Sequence, residues 1–180
     1  MEFSKIVLEK LGLIFKEYSL NIIERRSDYL KLNSKYLRII ISHNRFENSN
    51  TIWLGRNDEK SAKVEIDDEI LKQFFNSKLK LSQVSTETFI NNLVLFFENE
   101  ALPLFTNNKN KISELEKFNL DRSQKYTQEL LVNQNLFAAN KEWEFGNYKE
   151  FIKLIDKIDK VELPTSYQLK YNIAKHKVEK

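Results

Sequence analysis

Tyr36-Leu37-Arg38-Ile39-Ile40-Ile41-Ser42-His43 alternates along its length, with Leu37, Ile39 and Ile41 pointing one way and Tyr36, Arg38, Ile40 and Ser42 the other. A period of two is that of a strand with one face in a core. Similar β-branched and aromatic runs flank it at Leu20 to Arg25, Tyr29 to Leu32, Thr51 to Leu54 and Lys63 to Ile66. Between them Ser27-Asp28, Asn33-Ser34, the Asn-rich run Asn44 to Asn50, and Arg56 to Glu59 supply turn residues. The pattern predicts a four- or five-stranded antiparallel meander. In the fourth run Ile52 and Leu54 oppose Thr51 and Trp53. The core face then carries Leu37, Ile39, Ile41, Ile52 and Leu54. The second face, with Tyr36, Arg38, Ile40 and Trp53, is unusually apolar for a solvated surface.

Outward from the strands the period changes to that of helices. Phe3, Ile6, Val7, Leu11, Ile14 and Phe15 recur at helical spacing and predict an amphipathic helix over 2–17, lying on one face of the sheet. Asp67-Asp68-Glu69 place three acids where a helix N-terminus favours negative charge, ahead of Ile70, Leu71, Phe74 and Phe75. Thr86 opens a more apolar helix through Phe89, Ile90, Leu93, Val94, Phe96 and Phe97, which Pro103 ends or kinks near Ala101. Asn107 to Lys111 is polar and is expected to be a loop between two halves. From Asp121 onward the pattern is helical, punctuated by Gly146 and Pro164. The expected fold class is α+β: an α+β domain over 1–106, and a helical appendage over 107–180 docked on it.

Phe145-Gly146-Asn147-Tyr148-Lys149-Glu150-Phe151-Ile152 resembles the turn and second helix of a tetratricopeptide repeat, and Ala139 falls where such repeats place a small residue between their helices. Ala174, after Pro164, matches the Ala139 position in a following helix. The resemblance implies a helical hairpin that makes surfaces for proteins and performs no chemistry. The opening layout, an amphipathic helix and then short strands rich in Tyr, Leu and Ile with an exposed Trp, resembles small bacterial immunity proteins of polymorphic toxin systems. That resemblance implies tight binding and blocking of one cognate toxin.

Composition narrows the classes of chemistry. The 180 residues contain no cysteine, which excludes disulfides, thiolate nucleophiles and cysteine-ligated metals. Only Gly12, Gly55 and Gly146 are glycine, so neither a dinucleotide fingerprint nor a phosphate-cradling loop can be written. The longest apolar run, Leu93 to Phe97, is far shorter than the ~20 residues that cross a bilayer, and no secretory signal opens the sequence. A cytoplasmic protein with no membrane contact is expected. The net charge of +3 is spread too thinly to announce nucleic acid.

His43 and His176 are too few for a three-histidine zinc site. His43, beside Arg45 at a strand end, is read as a solvated or turn-bonded ring rather than a general base. Ser77-Lys78-Leu79-Lys80 matches Ser-x-x-Lys without the motifs that accompany it in penicillin-binding enzymes. Glu142 and Glu144 diverge on a helix, and Asp156 and Asp159 sit among Lys153, Lys157 and Lys160 as an ion-paired face. No catalytic residue, metal site or cofactor is assigned, and the chain is expected not to be an enzyme. All but one of the arginines lie among the strands, interleaved with Tyr29, Tyr36 and Trp53. Three roles fit that face: a floor under a docked C-terminal helix, a protein interface, or a platform for single-stranded nucleic acid, favoured in that order. The expected function is non-catalytic protein binding by a monomer or small oligomer, as an immunity-like inhibitor of a toxin or an adaptor. Candidate contacts are Tyr36, Arg38 and Trp53 on the sheet and Trp143 and Tyr148 on the hairpin.

Overall fold

The computed structural model describes residues 2–58, 60–106 and 109–179, with the side chain of Lys109 excepted. The expected turn residue Glu59 and loop residues Asn107 and Asn108 lie outside the described residues. Five strands, β1 (Asn21–Arg26), β2 (Tyr29–Asn33), β3 (Leu37–Asn44), β4 (Ser49–Arg56) and β5 (Val64–Glu65), form one antiparallel sheet in sequential order. It is preceded by α1 (Phe3–Glu17) and followed, among the described residues, by helices and no further strand, so the fold is the expected α+β class.

The inner face of the sheet is buried by alternation. Leu30, Leu32, Leu37, Ile39, Ile41, Ile52, Leu54 and Val64 are all within a percent of complete burial. Helix α1 lays Phe3, Val7, Leu11 and Phe15 on the same core, one residue per turn. Asp67 caps α2 (Asp68–Gln73) by accepting the Ile70 N–H at 2.8 Å, and Ser85 caps α3 (Thr86–Leu95) by accepting the Thr88 N–H at 3.1 Å. A widened π-helical turn, Phe96–Glu100, continues α3 and turns both Phe96 and Phe97 inward, where each is fully buried. Pro103 follows at the start of the short α4 (Leu102–Phe105), where its missing N–H costs nothing.

The expected loop is corrected over its described part: Lys109, Asn110 and Lys111 are already helical, in α5 (Lys109–Glu144). The cause is tertiary, because Ile112 and Leu115 are buried in the sheet's core and bring the first turns of α5 with them. The chain divides into two compact units, Met1–Leu120 and Asp121–Lys180, so the division falls within α5. The second unit has its own apolar cluster of Ala139, Phe151, Ile155, Ile158, Leu163 and Ala174, contributed by α5, α6 (Tyr148–Ile155), α7 (Thr165–Val178) and the α6–α7 connection. Gly146 makes the α5–α6 turn at φ +74°, a conformation that favours glycine.

Ile39 is fully buried at the centre of the sheet, so Ile39→Ala should destabilise the first unit by about 2–5 kcal/mol. Urea unfolding followed by far-ultraviolet circular dichroism measures it.

Candidate functional site

The strand registers determine which side chains share the outer face. Glu24 of β1 lies opposite Lys31 of β2, Lys31 opposite Ile40 of β3, Ile40 opposite Trp53 of β4, and Trp53 opposite Glu65 of β5. Directly opposed residues lie on one face, so these five make a continuous row across the sheet. All five are half-buried. Ile40 and Trp53 supply an apolar centre, with Glu24 and Lys31 on one side and Glu65 on the other. A parallel row holds Arg26, Tyr29, Ser42 and Thr51, closed by a 2.7 Å hydrogen bond between the Ser42 and Thr51 hydroxyls.

A β-bulge between Ile22 and Glu24 builds one end of this surface. Ile22 pairs with Leu32, on the core side, whereas Glu24 pairs with Lys31, on the outer side. The extra residue thus puts Glu24 and Arg26 on the outer face, where a 2.6 Å ion pair joins them. It also turns Arg25 to the inner side, where its guanidinium donates to the buried Ser4 hydroxyl at 3.3 Å and to Glu2 at 3.4 Å.

Arg38 lies opposite Asn33 and Gly55. Its Nη2 donates to Asn57 Oδ1 at 3.1 Å, and its Nε is buried without a protein acceptor. Asn57 is a hub that sequence inspection missed. It donates through Nδ2 to the Ser34 carbonyl at 2.8 Å and through its backbone N–H to the Tyr36 carbonyl at 2.8 Å. The Lys35 ammonium lies 5.1 Å from the centre of the Tyr36 ring, and its hydrogen bond with Tyr36 raises its pKa. Tyr36 borders a shallow cleft of about 300 Å³ with Arg56, Asn57, Asp58 and Ile112. Arg56 there grips Glu116 of α5 with two hydrogen bonds of 3.0 and 2.6 Å, which raise its pKa.

Arg38 and Trp53 are therefore brought to one face of the sheet, whereas Tyr36 precedes β3 and lies at the cleft with Arg56 and Ile112. The other two candidates lie in the second unit. Trp143 packs edge-on to Tyr148 at 5.4 Å and against Phe151 at 5.3 Å, as part of that unit's apolar cluster. The Tyr148 hydroxyl accepts from Lys177 Nζ at 2.8 Å.

The residues weighed for chemistry are engaged structurally. His43 stacks on Phe3 at 5.4 Å, with its Nδ1 3.0 Å from Asn50 Oδ1. The nearly buried Ser77 accepts the Leu79 N–H through its hydroxyl. Glu142 accepts from Asn147, Glu144 from Asn140, Asp156 from the Tyr171 hydroxyl and Asp159 from the Val161 N–H. Among the described residues no three His, Cys, Asp or Glu side chains are grouped to hold a metal ion, and no helix is long and apolar enough to cross a membrane. No protein-family model, curated protein or solved structure matches this chain.

Burial, then the Glu24 charge, raises the pKa of Tyr29 on this face, against the opposing pull of Arg26 and Arg38. The folded chain holds the phenol proton more tightly than the unfolded one. Stability is therefore unaffected below the ordinary tyrosine value and falls as pH rises through the raised one. Absorbance titration of the chain against Tyr29→Phe should show this phenol ionising late, and Glu24→Gln should bring it back toward the ordinary value.

Proposed function

We propose that this chain is a non-catalytic protein-binding protein whose sheet face occludes a partner, in the manner of an immunity protein blocking its cognate toxin in a bacterial cytoplasm. The observation that carries the proposal is the row Glu24, Lys31, Ile40, Trp53 and Glu65, an apolar centre with charges at both ends on a rigid sheet. Protein interfaces have that anatomy, a desolvated centre within a polar rim. Trp53 is the anchor, since tryptophan supplies a large contact area at the cost of two side-chain torsions. Arg38 and Tyr36 provide directional contacts beside it. The helical hairpin with Trp143 and Tyr148, which resembles a tetratricopeptide unit, is a second contact surface in an adaptor role.

Single-stranded nucleic acid is the alternative binding role for the face, because Lys31, Arg26 and Arg38 are interleaved with Tyr29 and Trp53. Glu24 and Glu65 stand in the same row and oppose a polyphosphate.

Trp53→Ala should weaken partner binding by ~2 kcal/mol or more while the thermal unfolding midpoint stays near that of the unsubstituted chain. Affinity capture with both forms, followed by titration of the captured protein, checks this. Loss of the fold in Trp53→Ala would show Trp53 to be a core residue. Oligonucleotide binding that weakens steeply with salt would replace the protein partner with nucleic acid.

A further inference from the structure

Helix α7 is held differently from the helices it lies on. Its one fully buried side chain is Ala174, whereas α6 buries Phe151 and Ile155. Hydrophobic stabilisation scales with apolar area removed from water, so an alanine contributes little to docking a helix. The half-buried rings of Tyr167 and Tyr171 pack on the apolar cluster, and polar and charge-assisted contacts along one side of α7 add to the fastening. The Tyr167 hydroxyl donates to the Leu136 carbonyl at 3.3 Å. Lys170 donates to Asn140 Oδ1 at 2.8 Å, and its ammonium lies 5.5 Å from the Trp143 ring centre. The Tyr171 hydroxyl donates to Asp156. Lys177 donates to the Tyr148 hydroxyl at 2.8 Å and lies 4.5 Å from that ring's centre. On the side of α7 turned away, Leu169 and Ile173 are exposed.

We propose that α7 is a detachable latch over α5 and α6, opening as a unit while the α5–α6 hairpin stays folded. Those contacts that use an ammonium are weakened by neutralising the lysine, whereas the Phe151 and Ile155 core is not. The latch therefore has a release mechanism that its neighbours lack. Opening removes Ala174, Tyr167 and Tyr171 from the cluster and uncovers the side of Trp143, Tyr148 and Phe151 that α7 shields. How often that side is uncovered is set by the contacts of Lys170 and Lys177. Such local openings, with free energies below that of global unfolding, are what amide exchange detects.

Amide hydrogen exchange of the full chain tests the latch. Amides of α7 from residue 169 onward should exchange about tenfold or more faster than those of residues 136–143 in α5 and 152–155 in α6. Substituting Lys170→Met or Lys177→Met should speed α7 further and leave α5 and α6 unchanged. Methionine keeps the apolar stem of the lysine, so the substitution removes the ammonium with little loss of packing. Exchange of α7 in step with α6 under every condition would overturn the latch, as would an α7 rate indifferent to both substitutions. The comparison of α7 with α5 and α6 in the unsubstituted chain decides the matter even where a variant fails to fold.

Discussion

The pleat of the sheet constrains everything else in the first unit. Once Leu30, Leu32, Leu37, Ile39, Ile41, Ile52, Leu54 and Val64 are buried beneath α1, each residue between them must face outward. A slip of one position would turn this whole set out of the core, at about 1.5–3 kcal/mol for each large aliphatic side chain. The register is therefore held by the core face, and the outer face inherits it. Ile40 and Trp53 meet across β3 and β4 because their neighbours Ile39 and Leu54, and Ile41 and Ile52, must meet beneath them.

Much of this was legible in the order of residues. The alternation from Tyr36 to His43 predicted both faces of β3, and the acids Asp67-Asp68-Glu69 marked the start of α2, where Asp67 forms the cap. What stayed hidden depended on partners distant in sequence. The β1 bulge leaves no mark in Ile22-Ile23-Glu24, since uninterrupted alternation places Ile22 and Glu24 on one face. The contribution of Glu24, Lys31 and Glu65 to the outer row is a property of register, which single-strand patterns do not contain. The Asn57 hub was equally invisible, because a lone Asn in a turn-rich stretch reads as turn chemistry while its contacts reach Ser34, Tyr36 and Arg38.

Helix α5 shows how one element can lose its own signal. Near its start Ile112, Leu115 and Phe118 belong to the core of the first unit, and further on Val132, Leu136, Ala139 and Trp143 belong to that of the second. Between them residues 123–131 are exposed throughout, with Lys125 and Glu129 paired along the helix at 3.9 Å. No single apolar stripe runs the length of such a helix, so a search for one periodicity breaks it at the polar start. The polar run Asn107 to Lys111 suggested a loop, and burial of two side chains in a distant core overrode it at Lys109 to Lys111.

The same competition between burial and charge bears on the proposed partner. A half-exposed Trp53 beside Ile40 contributes less to folding than a buried pair, so the outer face keeps apolar area whose removal from water is still available to binding. A stacking platform for bases would gain from that area too, but bases arrive attached to phosphates. Along the row those phosphates would meet Glu24 and Glu65, and the nearest cation to Glu24 across its own strand, Arg26, is already committed to it at 2.6 Å. A protein surface can present both signs of charge in matching order, whereas a polyphosphate presents one. Under the proposed function, an apolar centre bounded by charges of both signs suits a folded protein better than a polyphosphate, and charge order across the row would set selectivity among such partners.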